Sequence, residues 1–242
     1  MKAEIVNIFK MIDKADTIDR EIGRDAYSRC NALMQKIAAQ YFLPTNNVIA
    51  AFCALSPNND YVGNLRSLIS VIEYRENATV STYKRCAMRA IMYLNGERFD
   101  TQSRGLKTKS FYLNICNPLD PDPITIDGHM CAIWHDKANA IMKDFSISKT
   151  KYLEIAEDFK TVARWLNILP NQLQATLWHT RKRTLGIAFN PTTPMFQDPG
   201  RITFSIDELK PYEVSIPLPS SSVPSSNNIK QTSLRLQTTS KM

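Results

Sequence analysis

Two short segments of the 242-residue chain carry the side chains best suited to catalysis. One is basic and begins at a glycine, Gly105-Leu-Lys-Thr-Lys109, and the other is Ile124-Thr-Ile-Asp-Gly-His129. A positioned carboxylate such as Asp127 stabilises developing positive charge and can activate water, and a lysine amine such as Lys107 can attack a sugar carbon and form a Schiff base. Each has a plainer alternative, because Asp127 can act only as a helix cap and Lys107 can be an ordinary surface lysine.

The distribution of charge points to an anionic partner. The chain has a formal net charge of +7, and the stretch from Lys84 to Lys109 holds seven basic residues against the acids Glu97 and Asp100. A basic protein without membrane signals most often binds nucleic acid, so DNA is the expected partner, with an ordinary solvated face as the alternative. A second cluster, Arg181-Lys-Arg183, is read either as charge at a helix C-terminus or as a phosphate contact.

Several other classes of site find no support in the sequence. The chain has no Gly-rich nucleotide-binding motif and no CxxC, which excludes a zinc ribbon and a four-cysteine iron–sulfur run. Cys131 and His135 are four residues apart, but two ligands do not make a metal site. No metal and no cofactor are therefore expected. The five widely spaced cysteines are typical of buried free thiols in a cytoplasmic protein: Cys30, Cys53, Cys86, Cys116 and Cys131.

Apolar residues recur at helical spacing along most of the chain. This pattern predicts helices over about residues 19–41, 48–55, 61–74, 83–94, 107–116, 126–141 and 152–169, with one more beginning at Pro170. Ser81 is the predicted N-cap of the helix that ends at Asn95-Gly96. Period-2 alternation is limited to residues 202–206 and 214–216, so the expected fold class is all-α.

The composition divides the chain into three parts. Residues 1–190 form the predicted helical domain, residues 191–213 an irregular connection and residues 214–242 a disordered tail. Eight serines and three prolines fall in that tail. The tail therefore has too few apolar side chains to offset the entropy lost on ordering. No run of 18 apolar residues and no apolar leader is present, so we expect no membrane association and a cytoplasmic location, in a bacterium or a phage host.

The two segments resemble the helix–hairpin–helix DNA glycosylase superfamily, of which endonuclease III is the best-known member. Members carry a G-x-[KR]-T-A-x-x-[FV]-x-L-N run and then an apolar-V-D-T-H segment that opens a helix. The counterparts here are Gly105-Leu-Lys-Thr108 with Leu113-Asn114, and Ile126-Asp-Gly-His129. Ala51-Phe-Cys-Ala-Leu-Ser-Pro57 is similar to the family's apolar helix that ends in L-S-x-Q.

The resemblance implies a helical DNA glycosylase-like core that acts on the bond between a base and its sugar. It makes Asp127 the carboxylate that assists cleavage and Lys107 the nucleophile of the bifunctional members. The candidate pocket residues are His129, Ser56 and Asn58. The candidate DNA contacts, most of which follow from the distribution of charge, are Lys84, Arg85, Arg89, Arg104, Gly105, Lys109, Arg181, Lys182 and Arg183. A base must leave the duplex to react, and Tyr61, Tyr83 and Phe111 either stack on such a base or pack in the core.

The hairpin segment departs from the family pattern. Thr101-Gln-Ser-Arg-Gly105 keeps only the last glycine of the usual L-P-G-V-G, and the four-cysteine cluster loop is missing. These departures indicate a divergent branch, of the kind that phages or other mobile elements carry. Two other hypotheses therefore remain beside the enzyme: a DNA-binding module that keeps the fold without turnover, and a structural or interaction protein of a mobile element.

Overall fold

The prediction of an all-α fold is confirmed over the part of the chain that the structure describes. The computed structural model describes residues 1–100, 105–137, 140 and 145–186, and this part contains nine α-helices and no β-strand. The irregular connection (191–213) and the tail (214–242) that the sequence predicts lie outside these residues, as do residues 187–190 at the end of the predicted helical domain. The helices are α1 (Ala3–Ile12), α2 (Thr17–Gln40), α3 (Thr45–Leu55), α4 (Tyr61–Tyr74), α5 (Lys84–Leu94), α6 (Leu106–Cys116), α7 (Gly128–Trp134), α8 (Lys149–Trp165) and α9 (Pro170–Thr184).

Most predicted helix limits agree with the structure, and three do not. Helix α1 was not expected from the sequence, yet three isoleucines of this helix are buried. The N-cap of α5 is Tyr83 and not Ser81, because the Ser81 hydroxyl hydrogen-bonds to Asn59, Gly63 and Ser67 instead. Helix α7 ends at Trp134, and Ile141, which was expected to continue it, lies outside the described residues. Pro170 begins α9 as predicted.

The buried apolar side chains form two cores. The first core is built from α2, α3, α4, α5 and the end of α6, and the second from α1, α7, α8, the segment before α7 and part of α9. Helix α9 belongs to both, since Ala175 packs in the first core and Leu173 and Leu177 pack in the second. The α9 side chains therefore define the boundary between the two cores, where the candidate site lies.

Helices α2 and α9 approach each other closely at Gly23. A Cβ atom placed on Gly23 would lie 2.0 Å from Thr176 Oγ1 and 2.6 Å from the Thr176 backbone nitrogen. Asp16 caps α2, and the buried Asp19 carboxylate holds Arg183 at the far end of α9, with 2.5 Å between Asp19 Oδ2 and the Arg183 guanidinium. The pair of helices is thus fixed both by backbone contact and by a partly buried ion pair.

None of the helices in the described part of the chain is both long enough and apolar enough to span a membrane.

Replacing Gly23 with alanine tests whether this contact holds the fold. The new methyl group meets backbone atoms of Thr176 that cannot move without separating the helices, so we expect Gly23→Ala to lower the free energy of unfolding by about 3 kcal/mol. Chemical denaturation measures this change. Ser28→Ala, at an exposed position of the same helix, is the control and should stay within about 0.5 kcal/mol of wild type. Equal stability of the two variants would contradict the close approach.

Candidate active site

A cavity of about 170 Å³ opens between the two cores. Its side chains come from α2, α3, α4, α6, α9 and the segments before α4 and α7. An apolar cavity of about 150 Å³ holds a benzene ring, so this one has room for a planar ring of similar size. Five aromatic side chains form much of its wall: Tyr27, Phe52, Tyr61, Phe111 and Trp178.

Asp127 lies at the edge of this cavity and is held by the start of α7. Its Oδ1 accepts a hydrogen bond from the Met130 backbone nitrogen at 3.0 Å, as an N-cap does. The side chain is half-buried and lines the cavity. Asp127 is therefore a cap, and its carboxylate is also accessible to a bound ligand.

Two tyrosines fix the extended segment that leads into Asp127. The Tyr152 hydroxyl donates to the Ile124 carbonyl at 3.1 Å and accepts from the Ile126 backbone nitrogen at 3.1 Å. Thr125, between these two residues, points the other way and lies 3.4 Å from the Tyr27 hydroxyl. Because both sides of the segment are bonded to buried groups, the position of Asp127 is set by the two cores together.

Lys107 lines the same cavity from the first turn of α6. Its side chain is exposed, and its ammonium forms no hydrogen bond or ion pair with the described residues. Both Lys107 and Asp127 act electrostatically on His129 and Cys131, which places the two charges in one neighbourhood. The structure thus brings together the two candidate catalytic residues, which are 20 positions apart in the chain.

A chain of neutral hydrogen bonds forms the floor of the cavity. The Tyr27 hydroxyl donates to Gln174 Oε1 at 2.8 Å, and the Asn114 amide donates to Thr125 Oγ1 at 3.0 Å. All four side chains are buried, and burial raises the pKa of Tyr27 well above its usual value, so the phenol stays neutral. The buried polar side chains of the cavity lining, Tyr27, Thr125 and Gln174, therefore carry no charge.

His179 also lines the cavity and is neutral. It is 2 % exposed, and burial lowers its pKa to about 3, with Asp19 acting against this shift and Lys182 adding to it. Its ring packs edge-on against Trp178, with 5.0 Å between the ring centroids.

His129 and Arg181 form a partly buried pair beside Trp178. Arg181 lies 2.8 Å from His129 Nδ1, and because a guanidinium only donates, this nitrogen accepts and the imidazole is neutral. Burial lowers the pKa of His129, and Arg181 acts in the same direction against the opposing effect of Asp127. The His129 ring packs edge-on against Trp178 at 5.8 Å, so it supports a wall of the cavity.

The cations predicted to contact DNA differ in accessibility. Lys84 and Arg85 are exposed at the start of α5, where Arg85 lies 5.1 Å from the centre of the Tyr83 ring, and Lys109 is half-buried. Arg89 is paired with Glu97 at 3.0 Å.

Arg181 is 4 % exposed and Arg183 is bound to Asp16 and Asp19, so neither is an open surface charge. Gly105 is the exposed N-cap of α6, and Arg104 lies outside the described residues.

Lys182 is the member of the last cluster that stays near the cavity. Its ammonium lies 4.4 Å from the centre of the Trp178 ring and forms no ion pair with the described residues. Burial lowers the pKa of Lys182, and the carboxylate of Asp60, which lines the cavity, acts in the opposite direction.

Sequence reasoning identified only part of the cavity lining. Ser56 lines it as expected, whereas Asn58 is exposed and hydrogen-bonds to Tyr83, and Asn59 lines the cavity instead. Of the predicted stacking residues, Tyr61 and Phe111 line the cavity and Tyr83 does not. Tyr27, Asn64, Gln174 and His179 were not identified from the sequence because they lie among apolar helix positions and resemble ordinary core residues, and Thr125 was not identified because it lies between two apolar residues of the segment before α7.

No group of three or more metal-binding side chains occurs among the residues that the structure describes.

The chain belongs to a family whose function is not known. The model of the family of unknown function DUF7178 matches residues 1–184, which include all nine helices and the cavity. Comparisons with curated proteins and with solved structures found no match.

The neutral state of His179 predicts a loss of stability in acid. The unfolded chain binds a proton at this ring below about pH 6.5, whereas the folded chain does so only near pH 3. Protonation therefore stabilises the unfolded state, and this residue alone should lower the free energy of unfolding by about 2 kcal/mol between pH 7 and pH 5. Denaturation at both pH values should show that His179→Gln removes this part of the fall. The exposed His135→Gln is the control, and an equal pH dependence in the two variants would refute a buried neutral His179.

Proposed function

We propose that this member of DUF7178 is a DNA-directed enzyme that cleaves the bond between a base and its sugar, with the base bound in the cavity. The observation that carries the proposal is the meeting of Asp127 and Lys107 at one aromatic-walled cavity. These are the two residues that the glycosylase-like motifs single out. The size of the cavity fits a ring of base dimensions, and aromatic faces stack on any base.

Asp127 suits the central step of such a reaction. Breaking the bond between C1′ and a base nitrogen builds positive charge on the sugar, which a nearby carboxylate stabilises. Asp127 caps the N-terminus of α7, and its half-buried carboxylate lines the cavity, where it can face the sugar of a bound nucleotide. Asp127 then either supports the charge directly or accepts a proton from the attacking water.

Lys107 can attack the sugar if its amine, and not water, is the nucleophile. The amine forms a bond to C1′ as the base leaves with its electron pair and takes up a proton. Ring opening then gives a Schiff base between the lysine and the sugar. Lys107 is exposed and lines the same cavity as Asp127, so we expect both side chains to face the sugar of a bound nucleotide.

The surface beside the cavity supports contact with the DNA backbone. The loop before α4 and the loop before α5 are joined by hydrogen bonds, from Ser81 to Asn59 Oδ1 at 2.8 Å and from Thr82 to the Pro57 carbonyl at 2.6 Å. These bonds hold exposed Lys84 and Arg85 next to the loop whose residues Ser56, Asn59 and Asp60 line the cavity. With Lys107, Lys109 and Lys182, they supply cations for phosphate groups on either side of an extruded base.

A DNA-binding module without turnover is the second candidate, and one observation favours it. Thr101-Gln-Ser-Arg-Gly105 keeps only the last glycine of the hairpin sequence that precedes the lysine in the glycosylase superfamily. In the glycosylase superfamily that hairpin grips a phosphate. Two results together would identify this second function. The wild-type chain would bind DNA without releasing a base, and an Asp127 variant would bind DNA with the same affinity as the wild type.

Substitution of Asp127 separates the two candidates. Asp127→Asn keeps the oxygen that caps α7, so stability should change by no more than about 1 kcal/mol. The loss of charge should slow base release about a hundredfold or more. The assay is a panel of duplexes with different modified or mismatched bases, scored for base release and abasic sites. Asp122→Asn, an exposed carboxylate on the preceding loop, is the control, and unchanged release in Asp127→Asn would reduce Asp127 to a cap.

Trapping with borohydride tests the role of Lys107. If its amine attacks the sugar, reduction of the Schiff base should give a covalent protein–DNA adduct that is lost in Lys107→Ala and kept in Lys109→Ala. Base release without an adduct would make water the nucleophile. An adduct that persists in Lys107→Ala would show that another amine attacks.

A further inference from the structure

The phenol of Tyr152 joins three parts of the structure that meet beside the cavity. Tyr152 lies in the first turn of α8 and is 7 % exposed. Its hydroxyl oxygen lies 3.1 Å from the Ile124 carbonyl oxygen, 3.1 Å from the Ile126 backbone nitrogen and 3.4 Å from Ser110 Oγ. The first two contacts hold the segment before α7, and the third reaches α6.

The bonding capacity of this hydroxyl matches its surroundings. A phenol has one hydrogen to donate and can accept two hydrogen bonds. Tyr152 donates to Ile124 and accepts from Ile126, so the position that remains can accept from the Ser110 hydroxyl. Burial raises the pKa of Tyr152, so the phenol stays protonated near neutral pH and keeps the hydrogen that it donates. A phenylalanine at this position would lose all three contacts.

The contacts of Tyr152 end next to the two candidate catalytic residues. Ile126 directly precedes Asp127, and Ser110 follows Lys107 by three residues, which makes these two side chains neighbours on the surface of α6. Helix α6 packs mainly in the first core, and α8 packs in the second. The hydroxyl therefore connects the two cores at the place where Asp127 and Lys107 line one cavity.

We infer that Tyr152 is a positioning residue, which sets the distance between the Asp127 carboxylate and the Lys107 amine. The inference rests on the proposed function, because this distance matters only if both groups act on the same sugar. Tyr152 does not line the cavity, so it acts only through the residues that it holds. A displacement of about 1 Å in a reacting group can slow a reaction about a hundredfold. The hydroxyl therefore affects the rate of the chemical step and not the binding of the DNA.

Single-turnover kinetics of Tyr152→Phe in the full chain test this role. The substrate is the duplex of the panel from which the wild-type chain releases a base fastest. We expect the rate constant of base release to fall about tenfold or more, while the affinity for the duplex stays within about twofold of wild type. Loss of folded protein would instead lower the amplitude of the reaction and leave its rate constant unchanged. A wild-type rate constant in Tyr152→Phe would therefore overturn the inference.

Ser110→Ala tests the contact with α6 separately and decides the matter if Tyr152→Phe does not fold. It removes one weak hydrogen bond, so the rate constant should fall about threefold at unchanged amplitude. The double variant should be no slower than Tyr152→Phe alone, because both substitutions remove the same contact. A wild-type rate constant in Ser110→Ala, or slowing in the double variant equal to the product of the two single effects, would overturn the inference.

Tyr41→Phe is the matched control. The Tyr41 hydroxyl also donates a side-chain hydrogen bond, to Glu73 Oε1 at 2.6 Å, but Tyr41 lies at the C-terminal end of α2 and neither residue lines the cavity. Tyr41→Phe should release the base with the wild-type rate constant. Equal slowing in Tyr41→Phe and Tyr152→Phe would overturn the inference.

The outcomes separate this inference from the proposed function. Base release with the wild-type rate constant in both Tyr152→Phe and Ser110→Ala would leave the enzyme and remove the positioning role. A wild-type chain that releases no base from any duplex of the panel would overturn the two together.

Discussion

The contact between α2 and α9 at Gly23 is the constraint on which the candidate site depends. Only a residue without a side chain allows the Thr176 backbone to come this close. One turn further along α2, Tyr27 then reaches Gln174 across the interface, and their 2.8 Å hydrogen bond becomes the floor of the cavity. A wider separation of the two helices would break this bond and open the boundary between the two cores.

The same contact explains why the cavity has a neutral interior and a charged entrance. Beside the cavity the helices bury amides, hydroxyls and a neutral histidine, whereas the buried Asp19 carboxylate does not line the cavity and is paired with Arg183. A buried charge without such a partner would be too costly to desolvate. Charged groups remain where helices begin, at Asp60 before α4, Lys107 in the first turn of α6 and Asp127 before α7. This division suits a substrate with an uncharged ring and an anionic backbone, which is the chemical character of a nucleotide.

Much of the fold follows from the sequence, and less of the site does. Apolar spacing located α2 to α6, α8 and α9, since each buries a continuous face, but it missed α1, whose three buried isoleucines lie among charged residues. The motif that contains Asp127 predicted a helix start, and the structure has one there. The floor was not predictable, because Tyr27, Thr125 and Gln174 become a network only when three distant segments meet. Arg181 likewise resembles a surface charge in the sequence, but in the structure it is buried and contacts His129.

The proposed role of Asp127, facing the sugar of a bound nucleotide, can be tested without knowledge of the base. The measurement compares the affinity of the full chain for two duplexes. One contains a pyrrolidine analogue of an abasic sugar, whose ring nitrogen carries the positive charge of the transition state, and the other contains the neutral tetrahydrofuran analogue. Because an enzyme binds its transition state more tightly than its substrate, the account predicts that the cationic analogue binds about a hundredfold more tightly or better. It also predicts that Asp127→Asn abolishes this preference. Equal affinity of the wild-type chain for the two duplexes, or a preference that persists in Asp127→Asn, would contradict it.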